Sequence, residues 1–278
     1  MEMTCNASVL FYGPSKVGKT TLVASGPPPV LLLDAEGGSR FLRKRKVVWS
    51  NPLMEPPDMT DHDVCVVFVR DFATLENVYQ WLHSGKHPFR TVAIDSISEA
   101  QQRCVDAIAG VNQMTQPDWG NLLRKISALV RQYRDLLIHP LNPLDCIAFT
   151  AMERVNAEGV HAPYLQGAIA SVLSYYLDIV CYYGVSTDDE GTPVRKLLTK
   201  PHPLFVAGDR PGMLPDVIEN PTLEAIIELS CSFDGDMTDQ PPAEFPDLTA
   251  MAADDLGGDA PEAENSNTDP LPHEETIS

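Results

Sequence analysis

The amino-acid sequence predicts an α/β fold with a mainly parallel central sheet that is flanked by helices on both faces. Short apolar runs of strand length recur along the chain, and helix-like stretches separate them. Strands of parallel sheets are buried on both faces and need helical crossovers, which is the pattern seen here. Two later strands around a turn-rich segment predict an antiparallel edge hairpin.

The predicted strands are apolar runs that end in polar or turn-forming residues. They are 7–12, 30–34, 64–69, 91–95 and 145–150, with 178–185 and 194–200 as the edge hairpin. The predicted helices are 19–24, 74–83, 119–138 and 221–233. Segment 119–138 has the 3.6-residue apolar rhythm of an amphipathic helix.

Charge divides the chain into two parts. The net charge is −19, and residues 231–278 contribute 13 acidic residues and no Lys or Arg. The other 26 acidic and 20 basic residues give 20 − 26 = −6 for residues 1–230, which argues against a broad basic nucleic-acid surface. We predict a folded domain over 1–233 and a disordered acidic tail over 234–278, because the tail has few residues to bury. The tail could aid solubility, compete with DNA for a basic loop, or dock a basic partner.

Other features indicate a cytoplasmic protein with no membrane segment. No apolar run reaches the ~18 residues of a membrane span, and the first residues do not resemble a signal peptide. The six cysteines are scattered without a C-x-x-C pair. This spacing favours buried free thiols over a metal site or a disulfide framework.

The strongest motif is GPSKVGKT at residues 13–20, which matches the phosphate-binding pattern G-x-x-x-x-G-K-[ST] between a strand and a helix. Such a loop turns its backbone N–H groups toward a phosphate chain, and the helix N-terminus adds a favourable dipole. Lys19 can reach the β- and γ-phosphates, and the Thr20 hydroxyl can ligate Mg²⁺. The predicted cofactors are therefore ATP and Mg²⁺. The predicted nucleotide-binding residues are Gly13, Pro14, Ser15, Lys16, Val17, Gly18, Lys19, Thr20 and Thr21.

Acidic residues follow two of the predicted strands. Asp95 ends 91–95 and is predicted to hold the metal or its waters together with Thr20. Asp34 and Glu36 follow the strand at 30–34. Carboxylates at the C-terminal ends of parallel strands face the ligand-binding crevice, although a helix cap or a solvated strand end is the alternative for each.

The order GPSKVGKT, LLLDAEGG and TVAIDS resembles the RecA-type ATPase core. CIAFTAMER resembles the later strand that ends in a γ-phosphate sensor, and PYLQGAIASVLSYYLDIVCYYG resembles the segment after the second DNA-binding loop. A D-W-G element at 118–120, expected before a long helix, and a P-x-L-x-G element at 163–167 add to the resemblance. Over residues 5–220 the chain resembles phage-encoded RecA-like P-loop ATPases of the Sak-type single-strand-annealing group.

The resemblance implies a RecA-like P-loop NTPase core and a Mg²⁺-dependent ATPase of phage DNA recombination. Such a protein would bind single-stranded DNA and promote annealing or strand exchange as a homo-oligomer in the host cytoplasm. A single-strand-binding protein or another recombination protein would be its partner. The alternative is a nucleotide-switched binding or assembly module without DNA activity. A small-molecule kinase would need an arginine-rich lid, and no such segment stands out.

The resemblance also implies roles for individual residues. Glu36 falls on the glutamate that activates water, and Asp95 falls on the Walker B aspartate. Met152 stands where relatives carry a His or Gln sensor and cannot donate a hydrogen bond, so either Thr150 or Arg154 takes that role or phosphate sensing is weak. The catalytic set is completed by Lys19 and by Arg210, a candidate arginine finger toward a neighbouring subunit whose alternative is a surface ion pair.

Two segments are candidates for DNA contact. The predicted loop 153–167 offers Arg154, His161 and Tyr164 as phosphate-binding and base-stacking groups, and an ordinary solvated loop is the alternative. The basic cluster at 40–46 is either a DNA or partner contact or a solvated face.

Overall fold

The structure is a computed structural model that describes residues 6–187 and 191–232. The predicted acidic tail at 234–278 lies outside the described residues, so its boundary and its disorder stay predictions. Among the described residues, no helix combines the length and the apolarity that crossing a membrane requires.

Strands and helices alternate through most of the described chain. The strands are β1 Ala7–Tyr12, β2 Val30–Asp34, β3 Lys46–Val48, β4 Val64–Phe68, β5 Thr91–Asp95, β6 Cys146–Ala151, β7 Glu153–Val155, β8 His161–Pro163, β9 Ile179–Thr187, β10 Pro193–Leu198, β11 Gly208–Asp209 and β12 Val217–Glu219. The α-helices are α1 Lys19–Val23, α2 Phe72–His83, α3 Ile97–Ala109, α4 Gln116–Asp135, α5 Ile169–Tyr176 and α6 Leu223–Cys231. Short 3-10 helices span Gly38–Phe41 and Leu136–Ile138.

In the described part of the chain, ten strands form one sheet in the order β12-β10-β9-β1-β6-β5-β2-β4-β3, with β11 paired to β9. The strands from β9 through β1 to β3 are mutually parallel, whereas β10, β11 and β12 pair antiparallel. The predicted α/β fold and its antiparallel edge are confirmed. The first strand of the predicted hairpin, β9, lies inside the sheet beside β1, and the edge itself consists of β10 and β12.

Helices cover the centre of the sheet, where the strands are buried along their length. All residues of β1 and β2 are buried. On one face, Leu22 and Val23 of α1 and Ile226 of α6 join a core cluster with Val9 and Leu32 of the sheet. Elsewhere α3 contacts β5 and β6, and α4 packs against α3. The buried centre of the sheet places the C-terminal ends of β1, β6, β5 and β2 side by side in that order.

Two helices differ from the sequence prediction. α3 was not predicted, although Ser96 caps it by accepting a hydrogen bond from the Glu99 backbone N–H at 3.2 Å. The helix predicted at 119–138 begins earlier, at Gln116, because Thr115 and Asp118 form a capping box. The D-W-G element therefore lies in the first turns of α4, and the prediction that it precedes the long helix is wrong.

The cysteines follow the sequence prediction with one exception. Cys65, Cys104, Cys146 and Cys181 are free and buried, and burial raises the pKa of each thiol. Cys231, at the end of α6, is disulfide-bonded, which the spacing of the cysteines did not indicate.

Candidate functional site

The glycine-rich segment at 13–20 forms the loop between β1 and α1. Lys16 has φ 65° and Gly18 has φ 109°, so the loop uses left-handed backbone conformations. Lys19 Nζ donates hydrogen bonds to the carbonyls of Gly13 at 2.7 Å and Pro14 at 2.6 Å. Burial lowers the pKa of Lys19, while the nearby carboxylates of Glu36 and Asp95 raise it. The segment 13–20 therefore has the strand–loop–helix arrangement that the motif predicts, and the Lys19 ammonium group lies over the loop.

Position 13 has no room for a side chain, because the backbone of β9 lies against the loop there. A Cβ atom added at Gly13 would lie 2.0 Å from the backbone oxygen of Tyr183 in β9. No side-chain rotation can relieve a clash with backbone, so the loop or the strand would have to move. The close approach of β9 therefore specifies glycine here.

A pair of glycine substitutions tests this packing. Gly13→Ala is expected to lower the free energy of unfolding by about 1–3 kcal/mol, the usual range for overpacking. Gly120→Ala, in α4 with nothing within 4 Å of the added Cβ, is expected to raise it by up to ~1 kcal/mol. Urea unfolding of both variants gives these values. A Gly13→Ala protein as stable as the parent would contradict the packing.

The structure brings Thr20 and Asp95 together, as the sequence predicts. Thr20 Oγ1 donates to Asp95 Oδ2 at 2.6 Å, and the Thr150 hydroxyl donates to the other carboxylate oxygen. Burial raises the pKa of Asp95, the two hydroxyl hydrogen bonds lower it, and the carboxylates of Glu36 and Asp34 raise it. The carboxylate is thus positioned by two threonines beside the loop.

This pair fits Mg²⁺. The described residues contain no group of three or more His, Cys, Asp or Glu side chains that could hold a metal by themselves. Mg²⁺ is usually bound by one or two carboxylates together with the phosphates of its nucleotide, so a richer protein cage is not needed. Thr20 and Asp95 would supply the oxygen ligands that such a shared site requires.

Asp34 and Glu36 have different roles although both follow β2. The Asp34 carboxylate accepts hydrogen bonds from the backbone N–H groups of Glu36 at 3.1 Å, Gly37 at 2.6 Å, Gly38 at 3.2 Å and Ser39 at 3.0 Å. It also accepts a hydrogen bond from the Ser39 hydroxyl. Asp34 therefore shapes the loop after β2, which is the capping alternative that the sequence left open.

Unlike Asp34, Glu36 is not held by the backbone N–H groups of this loop. It is exposed, and the Ser96 hydroxyl donates a hydrogen bond to its Oε1 atom. Ser96 follows Asp95 at the end of β5, so the end of one strand holds the carboxylate carried by its neighbour. Ser96 was missed in the sequence, but its position three residues before Glu99 is a capping-box signal that could have drawn attention to it.

The loop after β2 also touches the metal-ligand candidate directly. A Cβ atom added at Gly38 would lie 2.9 Å from Thr20 Oγ1. The absence of a side chain at Gly38 therefore lets the two loops close on each other. As a result Lys19, Thr20, Glu36 and Asp95 all lie at the C-terminal end of the sheet.

Asp95→Asn is expected to raise the free energy of unfolding of the metal-free protein at neutral pH. Burial raises the pKa of Asp95 above its ordinary value of 3.8, so its ionisation is harder in the folded than in the unfolded protein. Below pH 3.8 the carboxyl group is protonated in both the folded and the unfolded protein, so the destabilisation is absent. It grows as the pH rises from that value to the folded pKa. Urea unfolding at pH 3 and pH 7 without Mg²⁺ measures it, with the exposed Asp61→Asn as control. A variant less stable than the parent at pH 7 would contradict the prediction.

The sensor candidates occupy different environments. Thr150 is fully buried and is bound to Asp95, so any contact with a phosphate would pass through that carboxylate. Met152 is exposed, and its backbone N–H donates to Ser98 Oγ at 3.0 Å. Arg154 lies in β7 and is exposed. The structure brings Thr150 to the site, whereas Arg154 remains a surface residue.

The segment 153–167 is more ordered than the loop predicted for it, because it contains the antiparallel pair β7 and β8. His161 is 4% exposed, is hydrogen-bonded to Glu153 and stacks on Phe205 at 4.5 Å between ring centroids. The prediction that His161 could stack on a base is wrong, since its ring is part of the core. Tyr164 remains 41% exposed.

Arg210 does not lie at the loop of its own chain. Its guanidinium pairs with Asp178 at 2.7 Å, and Asp178 in turn accepts hydrogen bonds from Ser8. Ser8 is near the start of β1, whereas the loop follows the end of that strand. The observed contact is the ion pair that the sequence left as the alternative, and a role toward a neighbouring subunit stays a prediction.

Two residues of the basic cluster at 40–46 are held by contacts with neighbouring protein groups. Arg45 pairs with Asp63 at 2.6 Å, and Lys46 Nζ donates to the carbonyls of Ser39, Arg40 and Leu42. Only part of the cluster therefore remains a candidate contact surface. The remaining basic side chains are exposed, namely Arg40, Arg43 and Lys44.

Arg195 was missed by the sequence reasoning. It lies in β10, and its Nε atom donates a hydrogen bond to the Val17 carbonyl of the loop at 2.9 Å. No motif marks this residue, because only the pairing of β10 with β9 brings it to the loop.

Comparison with known proteins agrees with this geometry. A family model described as "AAA domain" matches residues 5–211, which include the loop, Glu36 and Asp95. No curated protein matches the chain. A solved structure described as "a prototypical ATPase from the type III secretion system of pathogenic bacteria" is similar, with 13% identity and a TM-score of 0.42. The match covers 67% of this chain and 53% of that one, so the chain spans about half its length, and so weak a likeness adds nothing about function.

Proposed function

The chain belongs to the AAA domain family of P-loop ATPase domains, and on that premise we propose that it binds and hydrolyses ATP with Mg²⁺. The observation that carries the proposal is the meeting of Lys19, Thr20, Asp95 and Glu36 at one end of the sheet. These groups match the parts that phosphoryl transfer needs, namely a cation, a metal site and a group that positions water.

The loop supplies binding and charge neutralisation. Its backbone N–H groups and the start of α1 face the phosphate chain. Lys19 turns its ammonium group from the carbonyls of Gly13 and Pro14 toward the β- and γ-phosphates. Thr20 and Asp95 would hold a Mg²⁺ ion, which would neutralise charge that develops on the phosphate oxygens.

Glu36 supplies the group that acts on water. Its carboxylate is exposed at the end of β2, and the Ser96 hydroxyl fixes one of its oxygens. The other oxygen orients the attacking water and accepts its proton. Asp34 cannot replace it, since both of its oxygens accept hydrogen bonds from its own loop.

At the level of biology, we propose a recombination ATPase that binds single-stranded DNA and promotes annealing or strand exchange as a homo-oligomer. Support comes from the order of sequence elements over 5–220 and from the exposed side chains of Arg154 and Tyr164. Arg210 would reach the nucleotide of a neighbouring subunit, which requires it to leave Asp178. A single-strand-binding protein or another recombination protein would be the partner.

A DNA-stimulated ATPase assay combined with gel-shift binding tests this proposal. We expect ATP to strengthen binding of single-stranded DNA at low salt, about 50 mM, and the affinity to fall as salt rises. We also expect DNA to raise the rate of phosphate release. Absence of both effects in a protein that still binds Mg-ATP would contradict the recombination role and leave the ATPase proposal intact.

The second candidate is a nucleotide-switched assembly module without DNA activity. Two observations favour it. Met152 cannot donate a hydrogen bond to a phosphate, and residues 1–230 carry a net charge of 20 − 26 = −6. This module would change its oligomeric state with ATP in the absence of DNA, which light scattering with and without nucleotide would detect.

A further inference from the structure

Two chain connections meet at the end of the sheet opposite to the phosphate-binding loop. The connection 84–90 leads from α2 to β5, and the connection 139–145 leads from the second 3-10 helix to β6. Asn142 Nδ2 donates hydrogen bonds to the carbonyls of Gly85 at 3.3 Å and His87 at 2.8 Å. The second connection is therefore bound directly to the backbone of the first.

His139 holds the same two connections together and requires its neutral form to do so. The ring is 7% exposed, and its Nε2 atom lies 3.0 Å from the carbonyl oxygen of His83. A carbonyl oxygen can only accept, so Nε2 carries the proton, and Nδ1 accepts from the Asn142 backbone N–H at 3.2 Å. A proton added at Nδ1 would face that N–H group with a second donor, so protonation of His139 breaks this hydrogen bond.

His87 is buried beside these groups without a partner for a charged ring. It is 9% exposed, and neither ring nitrogen makes a hydrogen bond of normal geometry. The ring stacks on Phe89 with 6.2 Å between centroids. The pKa of His87 is lowered from 6.5 to about 4, chiefly by burial and then by the nearby His139, while the Phe89 backbone raises it. A proton on His87 is therefore bound more readily once the ring reaches water.

The surrounding charged groups do not compensate added protons. From α2, the exposed His83 packs edge-on against His139 with 5.4 Å between ring centroids. Within the connections, Lys86 is exposed and adds positive charge, and Arg90 pairs with Asp145 at 2.5 Å. Protonation therefore places like charges side by side, where the carboxylate of the second connection already has a cationic partner.

We propose that His87 and His139 form an acid-sensitive lock between the connections 84–90 and 139–145. At neutral pH both rings are uncharged, His87 is packed against Phe89, and His139 bridges the two connections. Acid favours an opened form in which water solvates the protonated rings, so the connections separate at the starts of β5 and β6. Neither histidine belongs to the nucleotide site, and the inference does not depend on the proposed function.

The linkage between proton binding and unfolding tests the lock. The folded pKa of His87 lies below its unfolded value, so its stabilising contribution is complete above pH 6.5 and is lost as the pH falls to about 4. His87→Phe keeps an aromatic ring beside Phe89 and cannot bind a proton. At pH 5 this variant should take up about 0.9 proton less on unfolding than the parent does. The slope of the urea-unfolding free energy against pH measures the uptake.

Tryptophan fluorescence in the absence of urea shows whether the connection opens locally. The Trp49 ring lies 6.4 Å from Phe89 and 6.1 Å from Trp81 between centroids, so opening of 84–90 changes the surroundings of both indoles. The third tryptophan, Trp119 in α4, is replaced by Phe in every protein compared. We expect a reversible fluorescence change with a midpoint below pH 6.5 in the parent and its loss in His87→Phe.

Two further variants make the outcome decisive. His139→Gln can still donate to the His83 carbonyl but cannot bind a proton, so it should also weaken the fluorescence change. His62→Phe, before β4 and outside both connections, is the matched control and should leave the change as in the parent. Equal proton uptake in His87→Phe and the parent at pH 5 would refute the lock. A parent whose fluorescence stays constant until it unfolds globally would refute it as well.

Discussion

Replacing Lys19 with alanine is expected to lower ATP turnover by a factor of about 10³, or ~4 kcal/mol of transition-state stabilisation. The ammonium group is the cation positioned over the loop, within 2.7 Å of the Gly13 carbonyl and 2.6 Å of the Pro14 carbonyl. Without the ammonium group, no cation of the loop neutralises the charge that develops on the transferred phosphoryl group. Phosphate release at saturating Mg-ATP measures the loss.

The fold of this variant should survive the substitution. Burial lowers the pKa of Lys19, so keeping this side chain charged in the folded protein opposes folding. Replacing Lys19 with alanine removes this unfavourable contribution. Thermal unfolding of Lys19→Ala should therefore resemble that of the parent. The control is Lys86→Ala, an exposed lysine before β5 at the opposite end of the sheet. Full activity in Lys19→Ala would show that the loop is not the site of hydrolysis.

Glu36→Gln is expected to lower turnover by about 10²- to 10⁴-fold while ATP binding is retained. Glutamine has the same size as glutamate and can still accept the hydrogen bond from Ser96. It cannot accept a proton from water, so the chemical step slows although the nucleotide stays bound. Single-turnover phosphate release together with calorimetry of ATP binding separates the two effects.

The matched control for Glu36→Gln is Glu55→Gln, which changes an exposed glutamate away from the loop. It removes the same charge and should leave turnover unchanged. If Glu36→Gln keeps the turnover of the parent, another group activates the water. If it instead loses ATP binding and turnover in proportion, Glu36 acts in binding and the assigned role is wrong.

Much of the fold followed from local patterns. The apolar runs at 7–12, 30–34 and 91–95 are the observed β1, β2 and β5, because a strand buried on both faces needs a continuous apolar sequence. The boundaries of α4 and the presence of α3 were not predicted. Their starts depend on the capping side chains of Thr115 and Ser96 rather than on apolar periodicity.

The sequence by itself determined the loop at 13–20 and the mainly parallel sheet. The loop depends on residue types at short, fixed spacings, and the sheet depends on apolar runs of strand length, both of which a single chain displays directly. Only the tertiary structure showed that Asp34 is bound by its own loop whereas Glu36 is exposed beside the site. It alone also showed that Arg195 reaches the loop. It also decided that His161 is core and that Arg210 pairs with Asp178. Such outcomes depend on contacts between strands far apart in the chain, and neither local spacing nor composition encodes which side chains those strands bring together.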